Sequence, residues 1–135
     1  MYLNPYLSFD GNCGEAFAFY ADVLGGKILM QMTYDQAPPD VGMEVPAGAE
    51  KRLMHIRMDI GGSVLMGSDS PPGRGTKAAG FHISLNMDDL AKAELVFGRL
   101  SEGGQVMMPL QKTFWARGFA MFSDRFGTPW MINCE

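Results

Sequence analysis

Along residues 2–9 apolar and polar side chains alternate: Leu3, Pro5, Leu7 and Phe9 fall on one side, and Asn4, Tyr6 and Ser8 on the other. A period of two is that of a strand with one apolar face. Asn12 and Glu15 then resemble a capping box with Asn in the Ser/Thr place, which predicts a helix start. Ala16, Phe19, Tyr20, Val23 and Leu24 recur at helical spacing, and Gly25-Gly26 supplies a left-handed stop. Strands are predicted over 27–34, 52–60 and 63–68, the last two joined by a Gly61-Gly62 turn. The stretch 35–50, DQAPPDVGMEVPAGAE, is punctuated by Pro38, Pro39 and Pro46 and predicts a loop without regular structure.

The order then repeats. Phe81, Ile83, Leu85 and Met87 alternate with His82, Ser84 and Asn86. Asp88 is placed to cap a helix with the apolar stripe Leu90, Ala93, Phe97 and Leu100, and Gly103-Gly104 ends it. Strands are predicted over 105–110, 116–123 and 128–134. GGKILM at 25–30 resembles GGQVMM at 103–108, an offset of 78, and GSVLM at 62–66 resembles GTPWM at 127–131, an offset of 65. The chain therefore reads as βαβββ twice, joined by a Pro/Gly/Ser-rich connector at 68–79.

At 135 residues the chain has the length of one domain, and 47% hydrophobic against 19% charged residues argues against disorder. A net charge of −4 without a basic run disfavours nucleic acid and anionic membrane as partners. No apolar stretch approaches the roughly 20 residues of a membrane span, and no signal peptide is visible, so a cytoplasmic location is expected. Cys13 and Cys134 read as free thiols. Twelve methionines suit either irregular packing or a soft, adaptable pocket.

The paired βαβββ order resembles the vicinal oxygen chelate superfamily, which includes glyoxalase I, extradiol dioxygenases and the fosfomycin and bleomycin resistance proteins. Within it the wording is similar to the PhnB-like, 3-demethylubiquinone methyltransferase-like branch. The resemblance is carried by PYLSFDGNC at 5–13, AFAFY at 16–20, Leu24-Gly25-Gly26, Met54-His55, Ile60-Gly61-Gly62, Met66-Gly67-Ser68-Asp69, Phe114-Trp115 and DRFGTPWM at 124–131. It implies an α+β fold, a single domain over 1–135 with modules 1–68 and 79–135. The two modules would form a cup-shaped mixed sheet with helices outside and a ligand inside. It also implies a homodimer, in which the 35–50 loop covers the mouth or reaches across to the partner.

Members of this superfamily that perform chemistry hold a divalent ion with side chains from the first and last strands of each half. Strand parity and the two offsets place those positions at Asn4, Met66, His82 and Met131, and a gapped alignment offers Pro5, which has no side-chain donor, in place of Asn4. One imidazole, one neutral amide and two thioethers are not the nitrogen and carboxylate set that zinc, nickel, manganese or iron takes. The resemblance thus implies the cup without a metal or other cofactor, binding a small aromatic or anionic molecule. His82, Met66, Met131, Trp115, Asn4 and Ser84 are the candidate ligand-binding residues, and no catalytic residue is assigned. A competing reading is a metal-dependent glyoxalase-like lyase, isomerase or dioxygenase with its ligands elsewhere. A third is a non-catalytic dimeric interaction module.

Each candidate has a plainer explanation. His82 suits a hydrogen bond to Ser84 or a water. His55 shares a face with Arg57 and Asp59, which reads as a solvated polar face or as part of a cavity or dimer contact. Trp115, two residues before Arg117, suits an aromatic or anionic ligand and equally an interface anchor. Trp130 has the opposite parity to Met131 and is expected to pack against a helix; Asp124 is expected to bond locally within its turn. Gly73-Arg74-Gly75 lacks the context of a phosphate cradle, and no strand–turn–helix suited to a nucleotide cofactor supports methyl transfer.

Overall fold

A computed structural model describes residues 1–38 and 44–135. The chain divides into two compact units, Met1–Thr76 and Lys77–Glu135. The first contains β1 (Tyr6–Phe9), α1 (Cys13–Leu24), β2 (Lys27–Thr33), β3 (Leu53–Ile60) and β4 (Ser63–Asp69). The second contains β5 (Ile83–Met87), α2 (Leu90–Leu100), β6 (Gln105–Gln111), β7 (Gly118–Ser123) and β8 (Pro129–Cys134). Each unit is a four-stranded mixed sheet, ordered β1-β4-β3-β2 and β5-β8-β7-β6, with one parallel pair between its first and last strands. The α+β fold of two βαβββ modules is the one the sequence predicts.

The strand ends and caps differ from expectation where a distant partner intervenes. β1 begins at Tyr6 rather than residue 2; Pro5 has no N–H for the ladder, although its carbonyl still accepts from the Met66 N–H at 3.1 Å. Tyr2 and Leu3 are exposed, so Leu3 does not join the core. Asn12 stands at the N-cap of α1 but its side chain makes no capping bond. Asp69, at the end of β4, does that work by accepting from Gly11 N–H at 2.9 Å and Cys13 N–H at 3.0 Å. The buried stripe of α1 is Cys13, Ala16, Phe17 and Tyr20, so Phe17 takes the place expected for Phe19. α2 is capped by Asp89 rather than Asp88, through the Lys92 N–H at 3.2 Å. It ends at Leu100, where the Ser101 hydroxyl donates to the Phe97 carbonyl at 2.6 Å.

The β3–β4 turn is as expected: Gly61 and Gly62 have φ of 57° and 94°, the left-handed pair a two-residue hairpin requires. The 35–50 stretch is less irregular than expected, because Tyr34–Gln36 form one 3-10 turn. Residues 39–43 of that stretch lie outside the described residues. Among the described residues no helix is long and apolar enough to cross a membrane.

Each helix buries its stripe against its own sheet. In the first unit Phe17 meets Phe9 edge-on at 6.2 Å, and Leu7, Ile56, Met58 and Leu65 complete that side. In the second, Phe97 meets Phe122 edge-on at 5.4 Å, and Trp130 and Ile132 are fully buried beside it. Cys13 and Cys134 are free and buried, as expected, and burial pushes the Cys13 thiol well above its usual range, with the Asp69 charge adding to the effect.

Close packing at one glycine yields a prediction. A Cβ on Gly67 would lie 2.7 Å from Phe17 Cε1 and 2.9 Å from the Leu7 carbonyl oxygen, which cannot move aside as a side chain can. Gly67→Ala should lower unfolding stability by about 2 kcal/mol. Gly98, exposed within α2 with open space around its Cα, should respond oppositely: Gly98→Ala should add about 0.8 kcal/mol. Urea titration of both variants checks the pair; a neutral or stabilising Gly67→Ala contradicts the packing account.

Candidate functional site

With one face of each sheet committed to a helix, strand parity sends the other side chains to the opposite face. Register shows how these line up. In the first sheet Tyr6 pairs with Met66, Met66 with Arg57, and Arg57 with Met30. In the second, Ser84 pairs with Met131, Met131 with Met121, and Met121 with Met108. The two rows occupy corresponding places in the two modules, and Met66 and Met131 sit at equivalent points of them. Adjacent strands bring paired side chains to about 5 Å, so Met131, Met121 and Met108 form a continuous strip of thioether surface.

The second unit carries the sharper site. His82 immediately precedes β5 with the parity of Ser84 and Asn86. Its Nε2 is buried without a hydrogen-bond partner among the described residues, and so is Oδ1 of Asn133 on the same face. Leaving such an atom unpaired costs about 1–3 kcal/mol, which a bound molecule or an ordered water would relieve. Asn133 pairs with Asn86, four residues along from His82, so the two atoms mark ends of a stretch about 13 Å long. Ser84 and Met131 lie between them. Near the Asn133 end an aromatic group gathers: Phe119 pairs with Asn133, Trp115 meets Phe119 edge-on at 5.3 Å, and Phe114 meets Trp115 at 4.7 Å. Trp115 is 47% exposed, leaving part of its indole open.

Two sequence expectations need correction here. Ser84 does not bond His82; its hydroxyl donates instead to Asn86 Oδ1 at 3.5 Å. Arg117 is not a free guanidinium beside Trp115: Nε and one terminal nitrogen donate to the Glu135 carbonyl at 2.9 and 2.7 Å, and the Asp88 carbonyl accepts from it too. Arg117 faces a separate groove of about 390 Å³ between α2 and β6, lined also by Phe97, Leu110 and Lys112. Two further expectations are met. Trp130 is fully buried on the helix side, and Asp124 accepts from the Phe126 and Thr128 N–H groups within its turn.

In the first unit Met66 is flanked by Tyr6 and Arg57, and Asn4 lies half-buried just before β1. His55 is not simply solvated. Its ring stacks on Tyr6 with centroids 5.7 Å apart, and its Nδ1 lies 3.1 Å from the Tyr6 hydroxyl. Of the six sequence candidates, the structure brings Ser84 and Met131 side by side, places His82 and Trp115 in the same unit, and puts Met66 and Asn4 in the other. Sequence reasoning passed over Asn133, Met121 and Phe119. Parity from Met131 points to Asn133, but Met121 and Phe119 need the β7 register.

The positions that the resemblance assigns to a divalent ion hold an amide and a thioether in the first unit and an imidazole and a thioether in the second, which are not the nitrogen and carboxylate donors such an ion takes. Among the described residues no three His, Cys, Asp or Glu side chains cluster to form another metal site.

The repeated module and its paired rows define the class. The chain belongs to the Glyoxalase/Bleomycin resistance protein/Dioxygenase superfamily, whose model matches residues 2–132. Among individual proteins it is similar to protein YjdN of Escherichia coli (strain K12), at 36% identity over 98% of this chain and 95% of that one. It is similar in structure to protein PA1353 of Pseudomonas aeruginosa, with a TM-score of 0.90 and 44% identity over 100% of this chain and 98% of the other. The PhnB protein of Bacillus cereus shares the fold at a TM-score of 0.81, with 22% identity and full coverage of both chains.

Proposed function

We propose that the chain binds a small aromatic or anionic molecule on the helix-free face of its second unit, without a metal ion. The observation that carries this reading is the pair of buried, unpartnered polar atoms, His82 Nε2 and Asn133 Oδ1, with thioether surface between them. A ligand with an aromatic body and a hydrogen-bonding group toward each end would complement that face. Methionine sulfur contributes about 0.3–1.5 kcal/mol per aromatic contact and adapts to shape, while the imidazole fixes orientation. The homodimer expected from the sequence is part of the proposal.

A library of aromatic compounds screened by thermal unfolding tests it, since a ligand at 100 times its Kd stabilises by about 2.7 kcal/mol. A hit should shift the His82 side-chain resonances, and His82→Gln should weaken it by about tenfold. Failure of every compound to stabilise, or hits indifferent to His82→Gln and Met131→Ala, would overturn the reading. So would one divalent ion per chain surviving dialysis and coordinated by His82.

A further inference from the structure

The two rows differ in a way that the superfamily likeness does not explain. Where the second unit has Ser84 and Met121, the first has Tyr6 and Arg57, on either side of Met66. Arg57 follows His55 by two residues, so the two side chains leave the same face of β3 about 7 Å apart. That spacing admits one small oxyanion between a guanidinium and an imidazole.

Among the described residues the cations of this unit divide into held and unheld. Arg52 is held by Asp10 at 2.7 Å and the Ser70 carbonyl at 2.9 Å, and Lys51 by Asp35 at 2.6 Å. The Arg57 side chain, like those of Lys27 and Arg74, makes no ion pair or hydrogen bond with any described residue. His55, by contrast, is oriented by the stacked Tyr6 ring and hydroxyl. With that hydroxyl donating to Nδ1, the neutral imidazole carries its proton on Nε2 and presents a donor. On protonation both nitrogens donate, and the Tyr6 hydroxyl is released to turn its own proton outward.

We infer that Tyr6, His55 and Arg57 form a binding site for the oxyanion group of a small molecule, of the carboxylate, phosphate or phosphonate class. Arg57 supplies charge and a planar fork of donors, and His55 supplies a second donor whose charge depends on pH. The other charged groups on this face are Asp59, two residues beyond Arg57, and Lys27, the register partner of Asp59. Asp59 opposes the anion and Lys27 offsets it. The remaining neighbours are uncharged: Met66 and Ser68 from β4, and Met30 and Met32 from β2, with Met32 paired to His55. The site belongs to a different unit from the one proposed above and stands independently of it.

Only two histidines are present, so side-chain NMR resolves both, and His55→Gln assigns them. Titration with inorganic phosphate should move the His55 resonances saturably. His82 should stay still. Arg57→Gln, at an exposed position, should weaken phosphate by about tenfold, the scale of one charge-assisted hydrogen bond. Tyr6→Phe keeps the ring and should weaken it less. A non-saturating His55 shift, or equal affinity in folded Arg57→Gln and the parent, would sink the inference. A ligand that moves His82 alone upholds the proposed function and counts against this site.

Discussion

Replacing Asp69 with alanine should lower unfolding stability by about 4 kcal/mol, among the larger losses available to a single substitution. Asp69 is only 3% exposed, and its two oxygens accept three backbone N–H groups: Gly11 at 2.9 Å, Cys13 at 3.0 Å and Leu53 at 3.0 Å. These donors come from the approach to α1, its first residue, and the start of β3. One carboxylate thus fixes three chain segments to the end of β4, and its loss strands three donors in a poorly solvated place. Asp69→Asn keeps one carbonyl oxygen but turns an amide N–H₂ toward one of the donors, so a loss of about 2 kcal/mol is expected. Urea denaturation at neutral pH ranks the variants. A loss below about 1 kcal/mol for Asp69→Ala, or Asp69→Asn as damaging as alanine, contradicts the assignment.

Asp124→Ala should cost about 3 kcal/mol for a related reason. Oδ1 accepts from Phe126 N–H at 2.8 Å and Thr128 N–H at 3.1 Å, and Oδ2 from the Trp130 indole at 2.8 Å. The carboxylate shapes the turn into β8 and anchors the largest fully buried side chain of the chain's described core. Trp130→Phe removes the indole donor while leaving the turn bonds. A double-mutant cycle between the two should therefore return a coupling of about 1.5 kcal/mol or more, the indole's share of the total. Strict additivity would show that the buried indole draws nothing from Asp124.

Much of this architecture could be read from the chain. Alternation, the helical stripes and the glycine pairs were enough for each βαβββ order, because each depends on neighbours within a few residues, and the offsets of 78 and 65 show that order occurring twice. What escaped depends on partners far away in sequence. Asn12 looks like a cap until β4 delivers Asp69, 56 residues beyond Cys13, to the helix start. Phe17 and Phe19 compete for the buried stripe in an almost wholly apolar stretch, and only the space above Gly67 decides between them. At the site, parity placed His82, Ser84 and Met131 on a common face. It could not reveal that Tyr6 reaches His55, because parity assigns a face and leaves the neighbouring strand undetermined. Nor could it reveal that Arg117 is already engaged by two carbonyls.

The repeated sheet has a broader consequence. In each copy the side chains under the helix form the module's core, while those on the far side are not covered by a helix of their own unit. The repeat therefore presents two versions of one surface on two similar scaffolds. One is a sulfur-rich strip around Met131, and the other sets a phenol and a guanidinium around Met66. One repeated lattice thus carries two faces of unlike chemistry.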